Sequence, residues 1–138
     1  MKTKINDCSI IELGKLNCQS INYPILDNKL NIPFIVKRIY YLFEIPKGET
    51  RGGHAHKALF QIIVAANGSF DIILDDGETK KIVSLNDPNI GLLIVPGIWR
   101  ELINFSKDSV CLVFASEVYS EDDYIRDYDI FLKYKINE

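Results

Sequence analysis

Both histidines of the chain fall in one short stretch, Arg51-Gly52-Gly53-His54-Ala55-His56-Lys57. Histidine titrates near neutrality, so it can take a proton and give it back within one catalytic cycle, and its neutral form is also a common metal ligand. If the stretch is a strand, both rings share one face, because strand side chains alternate with period two. Arg51, just upstream, brings a fixed positive charge that stabilises a phosphate or an enolate. Tyr40 or Tyr41, from the preceding apolar run, can supply a hydroxyl donor. An imidazole base, an imidazole or phenol acid and arginines suit proton abstraction next to a carbonyl. That is an isomerase or epimerase requirement, and it needs no cofactor, since the carbonyl itself takes up the charge. Against it stand a metal site and two histidines with no role.

The elements that must hold these residues read mostly as strands. The run Phe34 to Ile45 is rich in β-branched and aromatic residues. Alternation puts Lys37, Ile39, Tyr41 and Phe43 on one of its faces, and Val36, Arg38, Tyr40 and Leu42 on the other. The histidine strand follows a turn at Pro46-Lys47-Gly48-Glu49. Leu59 to Ala66 is a near-continuous apolar run, suited to a strand buried on both faces. Asn67-Gly68 and Asp76-Gly77 each read as hairpin turns. Further strands are expected over 78–85, 92–95, 99–105 and 110–118. Ile10 to Leu13 and Tyr23 to Leu26 give shorter extended segments. Only the tail reads as helix, with Ser120 as N-cap and Glu121, Asp122 and Asp123 in its first turn. Many short strands separated by turn signals indicate an all-β sandwich or barrel, in a single domain spanning 1–138.

Composition narrows the function. The formal net charge of −3 argues against a general nucleic-acid binder. No stretch is apolar for the roughly 18 residues of a membrane span, and the first residues lack the apolar core of a signal peptide. Cys8, Cys18 and Cys111 are odd in number and have no metal-ligand spacing. Reduced thiols in a cytoplasmic protein are expected.

The spacing around the histidines resembles the first signature of the cupin superfamily, small jelly-roll proteins. Gly48, His54, His56, Gln61 and Gly68 match it, except that Gln61 stands where Glu is usual. A second signature is matched by Pro96-Gly97 and Asn104, with Arg100 in place of a histidine. In metal-binding cupins the ligands are the two histidines, the Glu and the later His, so two of four are changed here. A carboxamide is a poor transition-metal ligand, and a guanidinium stays protonated and repels a cation. We therefore expect a metal-free pocket.

The match extends further. Ile32-Pro33-Phe34, Lys37-Arg38-Ile39-Tyr40-Tyr41, the histidine stretch, Gly68-Ser69-Phe70, Leu74-Asp75-Asp76-Gly77, Pro96-Gly97-Ile98-Trp99 and the tail from Ser120 to Phe131 are similar to the sugar 3,4-ketoisomerases. That resemblance implies a cupin jelly-roll β-sandwich with a short C-terminal helix. It also implies a homodimer in which the first thirty or so residues are exchanged between subunits. The implied substrate is dTDP-4-keto-6-deoxy-D-glucose, whose carbonyl moves from carbon 4 to carbon 3. The product feeds an aminotransferase in the synthesis of 3-amino-3,6-dideoxyhexoses for surface polysaccharides such as lipopolysaccharide. Carried onto this sequence, His54 is the expected base, with His56 and Tyr40 as relay or hydrogen-bond partners. Arg51 is expected to face the diphosphate or sugar oxygens, and Gln61 and Arg100 to line the pocket. Trp99 is read as a pocket wall or as core, and the tail tyrosines and Arg126 as packing. Relatives carry Asp-x-Arg-Gly where this chain has Ile21-Asn22-Tyr23-Pro24, so Tyr23 stands in for a missing arginine. The changes at Tyr23 and Arg100 bear on the product epimer, and the gluco form is favoured. The alternatives are a dTDP-sugar 3,5-epimerase and a non-catalytic sugar-binding cupin.

Overall fold

Period-two alternation decides which side chains meet between the sheets, and the strand order follows from that burial. The computed structural model describes residues 2–15 and 23–138. Cys18 and the Ile21-Asn22 pair lie outside the described residues. The strands are β1 (Ser9–Glu12), β2 (Gly14–Lys15), β3 (Pro24–Ile25), β4 (Arg38–Leu42), β5 (Arg51–His56), β6 (Gln61–Asn67), β7 (Phe70–Asp75), β8 (Lys80–Leu85), β9 (Ile90–Ile94), β10 (Trp99–Ile103), β11 (Val110–Ala115) and β12 (Tyr124–Ile125), followed by the helix α1 (Tyr128–Ile136). Two five-stranded antiparallel sheets run β1-β9-β6-β11-β4 and β12-β5-β10-β7-β8, and β2 pairs with β3 beside them. This is an all-β sandwich of jelly-roll type with one short C-terminal helix.

The inner faces meet in a core that includes Ile63, Ala65, Phe70, Ile72, Leu74, Leu92, Ile94, Ile98 and Val113. Fully burying side chains of this size contributes about 1.5–3 kcal/mol each. The outer face of the first sheet is covered in part by Leu13, Ile32, Leu26 and Phe34, which pack on Ile62 and Val64. Its β4 edge is left open: Ile39, Tyr41 and Phe43 are exposed, whereas Arg38, Tyr40 and Leu42 are half-buried.

Two turn expectations fare differently. Asp76-Gly77 does close a hairpin, with Asp75 opposite Lys80. Asp76 Oδ1 accepts from the Glu78 and Thr79 amides, which fixes that turn. Asn67-Gly68 does not close one, because β6 and β7 lie in different sheets. Only Gly68 of that pair has positive φ, whereas a type I′ turn needs it at both positions. The pair carries the chain across from one sheet to the other.

The tail also departs from expectation. Ser120 makes no side-chain cap, and Glu121–Asp123 forms one 3₁₀ turn that leads into β12. The α-helix begins a turn later, where Asp127 accepts from the Ile130 amide as its N-cap. Phe131, fully buried, packs there with Trp99, Ala55 and Ile125. The helix thereby covers the outer face of β5, β10 and β12.

Candidate active site

The histidine strand is bent where the site needs it. β5 pairs with β10 through a register shift: Arg100 lies opposite His54, but Glu101 lies opposite Gly52, which leaves Gly53 as an extra residue. Gly52 and Gly53 both have positive φ, the conformation such bulges favour. A Cβ on Gly52 would sit 3.0 Å from the Arg100 carbonyl oxygen. After the bulge the strand alternates normally. Ala55 turns out to the helix, and His54 and His56 turn in between the sheets.

There His54 borders a cavity of about 220 Å³. β4 lines it with Tyr40, β5 with Arg51 and His54, β6 with Gln61, β10 with Arg100, β11 with Cys111, and the tail with Tyr124 and Arg126. His56 is fully buried behind His54, with 3.1 Å between their Nε2 atoms. His56 Nδ1 lies 2.9 Å from Asp123 Oδ2. The Tyr124 ring packs on both imidazoles, at 4.9 Å from His54 and 4.3 Å from His56.

Charge in this cavity is mostly positive and incompletely paired. Arg100, wholly buried, donates from Nη1 to Gln61 Oε1 at 3.0 Å. Its Nε and Nη2, together with Gln61 Nε2 and Arg38 Nε, are buried without hydrogen-bond partners. Groups so left are expensive unless something else satisfies them. Arg38 lies over the Tyr40 ring and donates to the Tyr124 hydroxyl at 3.4 Å. Arg126 caps Tyr124 with its guanidinium carbon 4.1 Å from the ring centroid, and is held by Glu121. Arg51 sits at the rim, where Glu49 accepts from it at 2.8 Å.

These surroundings set the protonation states. Burial, then the Arg100 charge, pulls His54 down to about 3 and His56 to about 2. Both rings are therefore neutral at pH 7, although the Asp123 carboxylate favours a proton on His56 Nδ1. Burial lowers Arg100 only to about 10, so it stays charged. Burial, then Tyr124, raises the Tyr40 phenol, which remains a donor. Burial pushes the Cys111 thiol up to about 12, so Cys111 is an inert wall. Among the described residues no three His, Cys, Asp or Glu side chains are grouped as metal ligands.

Six of the eight residues picked from the sequence thus come together: His54, His56, Tyr40, Arg51, Gln61 and Arg100. Trp99 does not join them. It neighbours Arg100 in a strand, so the two cannot share a face. Its ring packs on Tyr128 and Phe131, and its indole N–H donates to Glu101. Tyr23 is exposed before β3 and is not among the residues lining this cavity. Sequence reasoning missed Asp123, Tyr124 and Arg126, which it read as a helix start and packing groups. The signal was the strand-like pair Tyr124-Ile125 and the second capping residue, Asp127, which together move the helix off this segment.

Comparison with known proteins agrees with this geometry. The family model described as FdtA: WxcM-like, C-terminal, matches residues 6–136. A TDP-4-oxo-6-deoxy-alpha-D-glucose-3,4-oxoisomerase of Aneurinibacillus thermoaerophilus is 50% identical over 114 residues, covering 81% of this chain and 82% of that protein. The crystal structure of QdtA, a sugar 3,4-ketoisomerase from Thermoanaerobacterium thermosaccharolyticum in complex with TDP, superimposes with a TM-score of 0.92 at 38% identity, covering 97% and 98% of the two chains. A 3,4-ketoisomerase from Helicobacter canadensis does so with a TM-score of 0.90 at 43% identity, covering 96% and 98%. With its fold and its sequence both matched by these proteins, the chain belongs to the FdtA/WxcM-like family of sugar 3,4-ketoisomerases, which are isomerases.

Proposed function

We propose that this enzyme converts dTDP-4-keto-6-deoxy-D-glucose to the dTDP-linked 3-keto-6-deoxy sugar, by proton transfer to His54 as base and without a metal. The observation that carries this reading is the His54 imidazole in one cavity with the buried Arg100 guanidinium, whose Nε and Nη2 donors are unmet. His54 removes the carbon 3 proton. The C–H electron pair becomes a carbon 3–carbon 4 double bond, and the carbon 4 oxygen takes the negative charge. Arg100, with Nε and Nη2 unpartnered, offers donors for that enediolate oxygen. A proton then moves from the carbon 3 oxygen to the carbon 4 oxygen, and carbon 4 receives a proton as the carbonyl re-forms at carbon 3. Tyr40, kept protonated by its burial, is a donor within the same walls. Arg51, at the rim, suits the diphosphate if it exchanges Glu49 for phosphate oxygens.

The further parts of this reading are a cytoplasmic, single-domain protein that works as a homodimer, with N-terminal residues exchanged between copies. The exposed apolar row Ile39, Tyr41 and Phe43 on an edge strand supports a second copy as occupant. No helix among the described residues is long and apolar enough to cross a membrane.

The test is proton NMR of the purified protein with dTDP-4-keto-6-deoxy-D-glucose in heavy water. A 3-keto product is expected, and the coupling of the carbon 4 proton, or its deuteration, separates the expected gluco epimer from the galacto form. Deuterium at carbon 5 with the 4-keto group retained would make it a 3,5-epimerase instead. The variant His54→Asn should bind dTDP yet convert nothing; turnover near the wild-type rate would remove His54 from the role of base.

A further inference from the structure

Arg100 is wholly buried, and the group that holds it is neutral. It stands on β10 directly opposite His54 on β5, in the sheet that carries the base. Its Nη1 donates at 3.0 Å to Oε1 of Gln61, itself buried. Gln61 belongs to the other sheet, where β6 is paired on both sides, with Ala115 of β11 and Ile94 of β9 opposite Gln61. The hydrogen bond therefore crosses the interior from one sheet to the other and ends on rigid backbone at each side. A guanidinium has donors and no acceptor, so the carboxamide must present its oxygen to Arg100. Its NH₂ is left without a partner in the protein.

A charge buried to this depth is usually paired with a carboxylate, because an unpaired one is costly. Among the described residues Arg100 takes part in no salt bridge. Asp123 acts on it only from a distance, with its Oδ2 engaged by His56. We propose that Gln61 is a positioning residue that fixes the Arg100 guanidinium by one hydrogen bond and, being neutral, leaves its charge uncompensated for the enediolate. The inference rests on the reading of Arg100 as the group that stabilises the enediolate. The charge acts as a field across the cavity, so Gln61 need not touch the sugar. The substrate is uncharged at carbons 3 and 4, and negative charge develops there only as the proton leaves. What Gln61 preserves is thus felt in the transition state and not in the bound substrate. The same charge, next after burial, keeps the His54 ring neutral and able to take a proton.

Gln61→Glu changes the charge with almost no change of shape. The carboxylate takes the place of the carboxamide oxygen beside Nη1 and forms the ion pair that the site lacks. Arg100 stays where it is, but its charge is offset. The fold loses an unpaired buried charge, so the variant should be at least as stable as the wild type. The enediolate, in contrast, meets a pair with no net charge. Stability and activity then part company, which a loss of packing would not produce. Gln61→Met keeps the length and removes the acceptor, so Nη1 loses its partner and the guanidinium its anchor; both stability and activity should fall.

The measurements are a thermal melt, steady-state kinetics with dTDP-4-keto-6-deoxy-D-glucose and calorimetric titration with dTDP, on the wild type and on Gln61→Glu, Gln61→Met and Arg100→Met. Gln61→Glu should melt no lower than the wild type and lose about 10²–10³-fold in kcat, the usual cost of removing one oxyanion donor. Its KM and dTDP affinity should change by less than about three-fold. Gln61→Met should melt lower and lose about ten-fold or more in kcat, as a misplaced group does. Wild-type turnover in Gln61→Glu overturns the proposal. So does a Gln61→Glu that melts lower or fails to fold, since the charge beside it was then not uncompensated. A loss carried by KM or by dTDP affinity makes Gln61 a contact of the bound substrate and overturns the proposal too, as does wild-type turnover in Gln61→Met. Arg100→Met judges the underlying reading by itself: a near-wild-type kcat there removes Arg100 from the role of stabilising the enediolate. A slow Arg100→Met beside a fully active Gln61→Glu overturns the inference alone.

Discussion

Acid should destabilise this protein well above the pH at which its carboxylates titrate, because two imidazoles are held neutral in its interior. In the unfolded chain each histidine takes up a proton near pH 6.5. In the folded chain burial and Arg100 hold His54 at about 3 and His56 at about 2. Between those values the unfolded state binds more protons than the folded one, so stability rises with pH. The contribution is fully present above about pH 6.5 and is lost as the pH falls toward the folded values. At pH 5 neither folded ring is protonated, so each costs the fold about 2 kcal/mol relative to pH 7.5. The sum is about 4 kcal/mol, a large part of a typical domain's stability. Urea unfolding at the two pH values measures it. His56→Gln removes one of the two groups, so its stability should fall by about 2 kcal/mol less than that of the wild type over the same interval. The pH-independent cost of the substitution cancels from that comparison. If variant and wild type lose stability in parallel, His56 is not held neutral, and the protonation states assigned to the site are wrong.

Three further outcomes test other parts of the argument. Gly52→Ala forces a side chain into a positive-φ position 3.0 Å from the Arg100 carbonyl; it should cost about 1–3 kcal/mol and lower turnover by displacing His54, read from a thermal melt and a rate on one preparation. Activity should withstand prolonged treatment with a chelator, since Arg100 and Gln61 occupy two of the four cupin ligand places; a large loss restored by zinc, iron or manganese would overturn that. Tyr41→Lys, on the exposed face of β4, should turn a dimer into monomers by light scattering, and a wild type that is itself monomeric at micromolar concentration removes the second copy from the model of function.

Most strands were legible because burial in a sandwich writes itself as alternation. Over Arg38–Leu42 the run Phe34–Ile45 divided correctly into an inner row with Arg38, Tyr40 and Leu42 and an outer row with Ile39 and Tyr41, but Val36, expected on the inner row, lies before the strand and packs with Ile62 and Val64 on the outer face. The same rule could have removed Trp99 from the pocket, since it neighbours Arg100 within one strand. Asn67-Gly68 misled because a turn signal marks where the chain reverses or bends and does not say which sheet the next strand joins. The tail misled for a different reason. Ser120 followed by three acidic residues has the local chemistry of a helix start, but pairing of Tyr124-Ile125 with His56 and Ala55 on β5 was the stronger demand. Asp127 offers a later helix start in the local sequence, but the pairing itself is long-range, and no local window says which strand Tyr124-Ile125 joins.

On the proposed metal-free reaction, the tail's pairing supplies part of what two changed cupin ligand positions no longer can. A metal ion would have held both imidazoles by their lone pairs and supplied positive charge for an enediolate. Here Arg100 supplies the charge from within the pocket, braced by Gln61. Asp123 and Tyr124 hold the imidazoles from the other side, through a hydrogen bond and ring packing. The segment that brings them is anchored outside the sheet by Ile125 and Phe131, packed on Ala55 and Trp99. Ala55 is thus flanked by the two histidines on the inner face while it seats the helix on the outer one. Loosening the helix should therefore disturb the proton chemistry before it unfolds the sandwich, because Asp123, the hydrogen-bond partner of His56 Nδ1, lies in the segment that runs through Ile125, on which the helix residue Phe131 packs.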